Sequence, residues 1–151
     1  MQGELRAMAE LPAELASLVS QASEEQLDQA ADGEWSARVI LAHLRDEEAL
    51  VFRLRLERML SEDKPVFAPY PPDRWLAERD TSRDGLRQLL QDFALQRKAS
   101  VTLMKLLDEE ALQRRGIHPQ RGEFTVSDWI RYWHGHDEEH RWQIKRALEI
   151  R

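Results

Sequence analysis

The sequence predicts an all-α protein folded as a four-helix bundle. Between the helix-breaking residues, nearly every segment carries apolar residues at steps of three and four, the spacing of one helical face. No segment shows the sustained alternation of apolar and polar residues that is typical of a β-strand. Four long helices in one domain bury their apolar stripes most simply as a bundle. A chain of 151 residues fits one domain, which we assign to residues 1–151.

The first two long helices are predicted from about Gly3 to Val19 and from Ser36 to near Ser61. The first contains Pro12, which predicts either a kink or a later start. Ser36 is a good N-cap for the second helix. Between them, Ser23 and Gln26 have the spacing of a capping box for a short helical turn.

The third and fourth long helices follow a proline-rich connection. Prolines between residues 65 and 72 exclude regular helix there, apart from a helical turn around Trp75. Capping-box spacings predict both helix starts, Thr81 with Asp84 and Thr125 with Asp128. We expect the third helix to end near Asp108 and the fourth to run nearly to Arg151. The connection over residues 62–80 is long enough to allow the second and third helices to be parallel.

Composition excludes several classes of function. The chain has 28 acidic and 22 basic residues and a formal charge of -6, so its surface should repel phosphate backbones and nucleic acid is not an expected partner. It has no cysteine, which excludes disulfides, cysteine-rich zinc sites and a protein thiol nucleophile. The start resembles no signal peptide, and the longest aliphatic run, at residues 39–42, is too short to span a membrane. We therefore expect a cytoplasmic protein.

The histidines are the most informative feature. Three of the five histidines lie within residues 134–140 of the fourth helix. His136 and His140 are about 40° apart around the helix axis, a spacing by which two imidazoles can hold one metal ion. His134 lies about 160° from His136 and is left out of the site. His43, on the inward stripe of the second helix, can supply a third nitrogen, which predicts a divalent metal site with positions open to water or substrate.

The same residues also allow other interpretations. The histidines could be hydrogen-bonded core residues, and His43 could pair with Glu47 on the next helical turn. Glu47 or Glu48 could instead orient the His43 imidazole as an acceptor behind a metal ligand. Asp137 stands where the metalloprotease H-E-x-x-H motif has its glutamate, so that motif is not met. Asp137 and Glu48 are the carboxylates that we consider for a catalytic role.

Candidate substrate contacts are Trp133 in the fourth helix and Arg121 in the loop before it. We interpret Trp129 as a core residue and Trp142 as peripheral. A cluster of basic residues on the second helix is interpreted as a solvated face: Arg53, Arg55 and Arg58.

Two blocks of the sequence are similar to a known family. The blocks are Gly33-Glu34-Trp35-Ser36 leading to His43-Leu44 with Glu48, and His118-Pro119 with Gly122, then Thr125 to Trp129, ending in His136-Asp137 and His140. In these blocks the chain resembles the DinB-like or YfiT-like metalloenzymes. The resemblance implies a four-helix bundle of up-down-down-up topology, a homodimer, and one divalent metal ion, commonly zinc or nickel, on His43, His136 and His140.

The resemblance also implies a reaction on a small-molecule substrate. Relatives in this superfamily include thiol S-transferases and a thiol-dependent isomerase that use low-molecular-weight thiols. The metal would then ionise a thiol cosubstrate, which attacks an electrophile, and a chain without cysteine is compatible with that chemistry. Two alternatives remain: a metal-dependent hydrolase of a small amide or ester, and a non-catalytic metal-binding or stress-associated scaffold.

Overall fold

The computed structural model describes residues 1–149 of the chain. Its helices and strands follow in this order: α1 (Gln2–Val19), α2 (Glu24–Asp28), α3 (Ala37–Glu47), a π-helical segment (Glu48–Arg53), α4 (Leu54–Ser61), α5 (Pro72–Glu78), α6 (Leu86–Lys105), α7 (Glu109–Leu112), β1 (Arg115–His118), β2 (Gly122–Thr125) and α8 (Val126–Glu149). Helix α3, the π-helical segment and α4 are continuous and form the second long helix.

The core residues establish how the four long helices run. One half of the core joins the C-terminal part of α1, the start of α3, the start of α6 and the end of α8, through Leu15, Ile40, Leu89 and Ile144 among others. The other half joins the start of α1, the end of the second long helix, the end of α6 and the start of α8. The second and third long helices are therefore parallel to each other and antiparallel to α1 and α8. This confirms the predicted four-helix bundle with up-down-down-up topology.

Helix α1 continues without interruption through Pro12. A proline has no backbone N–H, so the carbonyl oxygen of Met8, four residues earlier, loses its helical donor. The guanidinium of Arg97 on α6 supplies a replacement, because its Nη1 donates to that oxygen at 3.0 Å. The predicted late start is wrong, since the helix begins at Gln2 and a tertiary contact satisfies the group that the proline leaves unpaired.

The predicted helix caps had different outcomes. Ser36 accepts from the backbone N–H of Val39, and the capping boxes of Ser23 with Gln26 and Thr125 with Asp128 both form. The box predicted for Thr81 and Asp84 is wrong, because α6 begins after Gly85 without a side-chain cap. Asp84 is instead buried in ion pairs with Arg45 and Arg79. Helix α6 ends at Lys105, and Asp108 caps the short α7.

A short antiparallel hairpin, β1 and β2, is the one departure from an all-helical chain within residues 1–149. Gly122 has a φ of 78°, the left-handed region that a turn at the hairpin's end requires. The hairpin also holds the proline-rich connection, since Ile117 exchanges backbone hydrogen bonds with Pro65 and Phe67. A Cβ on Gly116 would lie 2.8 Å from the Phe67 ring, so glycine allows this close approach. The hairpin and connection thereby come together beside the second long helix and α8.

The outer surface of α8 includes Trp142, whose side chain is 56% exposed, as predicted for a peripheral residue. Within residues 1–149, no helix combines the length and the apolar character needed to cross a membrane.

Candidate metal centre

Three histidines from two helices converge in the bundle. The Nε2 atom of His136 lies 3.4 Å from Nε2 of His43 and 3.0 Å from Nε2 of His140. One nitrogen of each ring falls within 4.8 Å of the other two. His134, which the helical spacing excludes, is not part of this group. The up-down-down-up topology brings the middle of α3 beside the middle of α8, which is how residues 93 positions apart in the chain meet.

Neighbouring side chains hold each ring in place. The His43 ring packs between Trp35 and Trp75, with centroid distances of 5.0 Å to each. Phe52 of the π-helical segment lies 4.7 Å from the His136 ring. His140 Nδ1 lies 2.8 Å from the side-chain oxygen of Gln143. Since an amide oxygen only accepts, this contact places the His140 proton on Nδ1 and leaves the lone pair of Nε2 facing the other rings.

The surroundings keep the three imidazoles neutral. Burial lowers the pKa of His43 to about 3, with a further contribution from His140. Burial also lowers the pKa of His136 and of His140, and for His136 the nearby charges of His140, His43 and Arg97 add to the effect. Neutral imidazoles are the form that binds a metal ion, because protonation removes the lone pair.

The arrangement fits a divalent cation. Two ligand nitrogens at a Zn–N bond length of about 2.0–2.1 Å and a tetrahedral angle lie roughly 3.3 Å apart. The Nε2 separations of 3.0 and 3.4 Å match that distance. Nδ1 of His43 is buried without a hydrogen-bond partner, and its Nε2 is the ring nitrogen that faces His136. Within residues 1–149, no fourth histidine, aspartate or glutamate side chain belongs to this group of possible metal ligands. One side of the site is therefore without a protein ligand.

That side opens on a cavity of about 390 Å³. Its walls come from the second long helix, the proline-rich connection, the hairpin loop and α8. The lining mixes aromatic and charged side chains: Trp35, Tyr70, Trp129, Tyr132, Glu47, Glu139, Arg55 and Arg121. A cavity with a few charged groups among aromatic walls, beside a candidate metal site, suits a small polar substrate.

Glu47 is the predicted carboxylate that lies at both the histidines and the cavity. Its Oε1 lies 3.7 Å from Nδ1 of His43, which is too long for a hydrogen bond. Burial raises the pKa of Glu47 to about 7, against the opposing charge of Arg55 and with a smaller contribution from Asp46. The π-helical segment begins at the next residue, and such segments occur frequently at functional sites.

Glu48 and Asp137 are not placed for a catalytic role. Both are buried and paired with Arg97, at 2.9 and 2.8 Å respectively. Burial disfavours a charged guanidinium, but the charges of Asp137 and Glu48 outweigh it and raise the pKa of Arg97. Glu48 therefore does not orient His43, as one alternative suggested. The two carboxylates instead bind α6 to the helices that carry the histidines.

The two predicted substrate contacts differ in position. Trp133 is fully buried, and its indole N–H donates to Glu48 Oε1 at 3.2 Å, so it lies beneath the cavity and not on its wall. Arg121 lines the cavity and lies over the Tyr132 ring, 4.2 Å from its centroid. Trp129 is a core residue, as predicted, and also forms part of the wall.

Sequence reasoning missed several residues of the cavity and misplaced one of them, Arg55. Arg55 was expected on a solvated face, but its side chain is only 9% exposed and lines the cavity. Its Nη2 donates to the carbonyl oxygen of Ala68, and its guanidinium lies near the rings of Phe67 and Trp129. No local signal separates it from Arg53 and Arg58, because the π-helical segment between Glu47 and Arg55 changes the spacing of residues around the helix.

Comparison with known proteins agrees with this geometry. Residues 7–144 match the family model described as the DinB superfamily. A Bacillus cereus protein named "Putative metal-dependent hydrolase" is 27% identical over 148 residues, which cover 95% of this chain and 84% of that protein. A Bacillus anthracis protein of the same name matches with the same identity and coverage.

A solved structure is similar over nearly the whole chain. YfiT from Bacillus subtilis is described as "a probable metal-dependent hydrolase with an unusual four-helix bundle topology". The similarity has a TM-score of 0.86 and 23% sequence identity, and it covers 97% of this chain and 84% of YfiT. At that identity the similarity establishes the shared fold.

Proposed function

The chain belongs to the DinB superfamily, and on this premise we propose that it is a metal-dependent hydrolase of small amides or esters. One observation carries the proposal: three neutral imidazoles converge on one side of a cavity and leave the opposite side accessible. A structural metal site is usually closed by four protein ligands, whereas a catalytic site keeps a position open. The names of the relatives support hydrolysis over other metal-dependent reactions.

His43, His136 and His140 would hold the ion, and zinc and nickel both accept imidazole ligands. When bound in such a site, a divalent ion lowers the pKa of a coordinated water to about 7, ionises a coordinated thiol and polarises a carbonyl oxygen. The protein must then orient the substrate and move protons. Because Glu47 is the carboxylate beside His43 on the cavity wall, we assign proton transfer to its side-chain oxygens.

The aromatic walls have a separate role in the proposal. Trp35 and Trp75 pack against the His43 ring, and Phe52 packs against the His136 ring. These contacts hold the Nε2 atoms of the two histidines close to each other. Tyr70 and Trp129 supply apolar surface at which water is excluded from a bound substrate.

The test is hydrolysis of 4-nitrophenyl acetate by protein loaded with zinc or nickel. We expect turnover without added thiol. Glu47→Gln should lower kcat by about 100-fold or more, which is the lower end of the rate loss expected when a general acid or base is removed. Metal content of that variant should equal that of the parent. Glu57→Gln is the matched control, since Glu57 is an exposed glutamate of α4 outside the cavity. No metal-dependent turnover of this or related small esters and amides would contradict the proposal.

The same assay separates the hydrolase from a thiol S-transferase, which the family resemblance also allows. A transferase would consume a low-molecular-weight thiol, such as bacillithiol, and release a thiol conjugate in equal amount. A strict requirement for thiol would therefore overturn hydrolysis in favour of transfer. Metal binding with neither activity would favour the scaffold alternative.

A further inference from the structure

The cavity has a cationic side that the proposed hydrolysis does not use. Arg55 is only 9% exposed, yet within residues 1–149 no carboxylate oxygen lies within 4.0 Å of its guanidinium nitrogens. The backbone carbonyl of Ala68 accepts from Nη2 alone, at 2.9 Å. A buried charge is ordinarily paired within hydrogen-bonding distance, because its desolvation is costly. The charge of Glu47 reaches Arg55 only from beyond ion-pair distance, and the groups near the guanidinium are the rings of Phe67 and Trp129. The remaining donors of Arg55 are therefore available to an anion in the cavity that this residue lines.

Two further groups of the cationic side come from the β1–β2 hairpin. The guanidinium of Arg121 is held over the Tyr132 ring, at 4.2 Å from its centroid, and Arg121 also has no carboxylate within 4.0 Å in the described chain. His118 Nδ1 accepts the backbone N–H groups of Gln120 and Arg121, which fixes the hairpin turn and leaves the ring proton on Nε2. The hairpin side of the cavity thus presents donors and positive charge.

The histidine side presents acceptors. Glu47 lies beside His43, and Glu139 precedes His140 and lines the same cavity. The lining therefore holds two arginines and two glutamates, and both glutamates neighbour the proposed metal ligands. A single negative charge on the ligand complements this distribution better than a phosphate dianion, which would add repulsion from the glutamates.

We propose that the cavity selects substrates that carry a carboxylate, which Arg55 binds with Arg121 at its side, while the scissile amide or ester lies at the three histidines. This inference rests on the proposed hydrolysis for its reaction and on the unpaired arginines for its substrate class. Arginine suits the role because its planar guanidinium can donate two parallel hydrogen bonds to a carboxylate.

The experiment compares two esters that differ in one carboxyl group, 4-nitrophenyl hydrogen adipate and 4-nitrophenyl pentanoate. The parent protein should show the higher kcat/KM for the adipate ester. In Arg55→Met, the ratio of the two kcat/KM values should fall about 10-fold, as expected for the loss of a charge-assisted hydrogen bond. Arg55→Lys keeps the charge and should lose less. Arg58→Met is the matched control, because Arg58 lies one turn away, is paired with Glu62 and should leave the ratio unchanged.

A binding measurement keeps the inference independent of turnover. Calorimetry of the zinc-loaded protein should show that succinamate, which carries one carboxylate, binds more tightly than the uncharged succinamide, and that Arg55→Met weakens succinamate binding about 10-fold with zinc content unchanged. Arg55-dependent succinamate binding without ester hydrolysis would sustain the carboxylate site and remove the hydrolase. An unchanged ester ratio together with unchanged succinamate affinity in both Arg55 variants would overturn the carboxylate site, whatever the protein hydrolyses.

Discussion

Arg97 of α6 joins its helix to the other three long helices through a buried hydrogen-bonded network. Its guanidinium, 1% exposed, donates twice to Glu48 at 2.9 Å, twice to Asp137 at 2.8 Å and once to the Met8 carbonyl at 3.0 Å. Arg97→Met keeps an unbranched apolar stem and removes all of these bonds. Two buried carboxylates are then left without their shared counter-charge, and the Met8 carbonyl without its donor.

The expected cost follows from that geometry. Removing one partner of a buried ion pair costs about 3–5 kcal/mol, because the remaining charge stays desolvated. For a chain of this size each kcal/mol shifts Tm by about 2–4 °C, so Arg97→Met should lower Tm by roughly 6–20 °C. Adding Glu48→Gln and Asp137→Asn removes both unpaired charges while keeping similar shapes. The triple variant should therefore recover about 2 kcal/mol relative to Arg97→Met alone.

Urea unfolding and thermal melting at neutral pH, followed by circular dichroism, measure both variants against the parent. The control is Lys98→Met, which removes a positive charge from the next residue of α6, where the side chain is exposed. It should change stability by less than about 0.5 kcal/mol. A loss below about 1 kcal/mol in Arg97→Met would refute the reasoning, as would a triple variant less stable than the single one.

Two further predictions concern α8. A Cβ on Gly135 would meet no atom within 4 Å, and alanine favours a helix more than glycine does. Gly135→Ala should therefore raise the free energy of unfolding, measured in urea, by about 1 kcal/mol. A lower free energy of unfolding would contradict the open surface position. The hydrogen bond from the backbone N–H of Thr125 lowers the pKa of Asp128 in the folded protein. The ionised carboxylate therefore stabilises the fold at pH values above its pKa in the unfolded chain. This stabilisation is lost as the pH falls through the pKa of the folded state. Asp128→Ala should cost about 1 kcal/mol at neutral pH, and the difference should vanish in strong acid; a difference independent of pH would exclude the cap as its source.

Local spacing was sufficient to predict much of the fold and the histidine group. Helical periodicity identified the four long helices, and the caps at Ser36 and Thr125 depend on residues only three positions away. His136 and His140 share one helix, so their relative direction follows from helix geometry. The topology, together with the position of His43 on an inward stripe, then brings the third imidazole to them.

The failures involve partners that are distant in sequence. Arg97 meets Glu48 and Asp137 across 49 and 40 positions, and no local pattern distinguishes it from a surface arginine. Asp84 has the spacing of a cap, but two arginines compete for its carboxylate. The hairpin strands have four residues each, too few for a recognisable alternation. The homodimer and the choice of metal stay predictions.

Metal content of single histidine variants tests the central claim most directly. Elemental analysis and metal titration of the parent should give close to one divalent ion per chain, and His43→Ala, His136→Ala and His140→Ala should each lose about 10-fold or more in affinity. His134→Ala, altered on the same helix but outside the converging group, should retain the ion. Full metal content and affinity in all three ligand variants would contradict the claim that these imidazoles form the metal site.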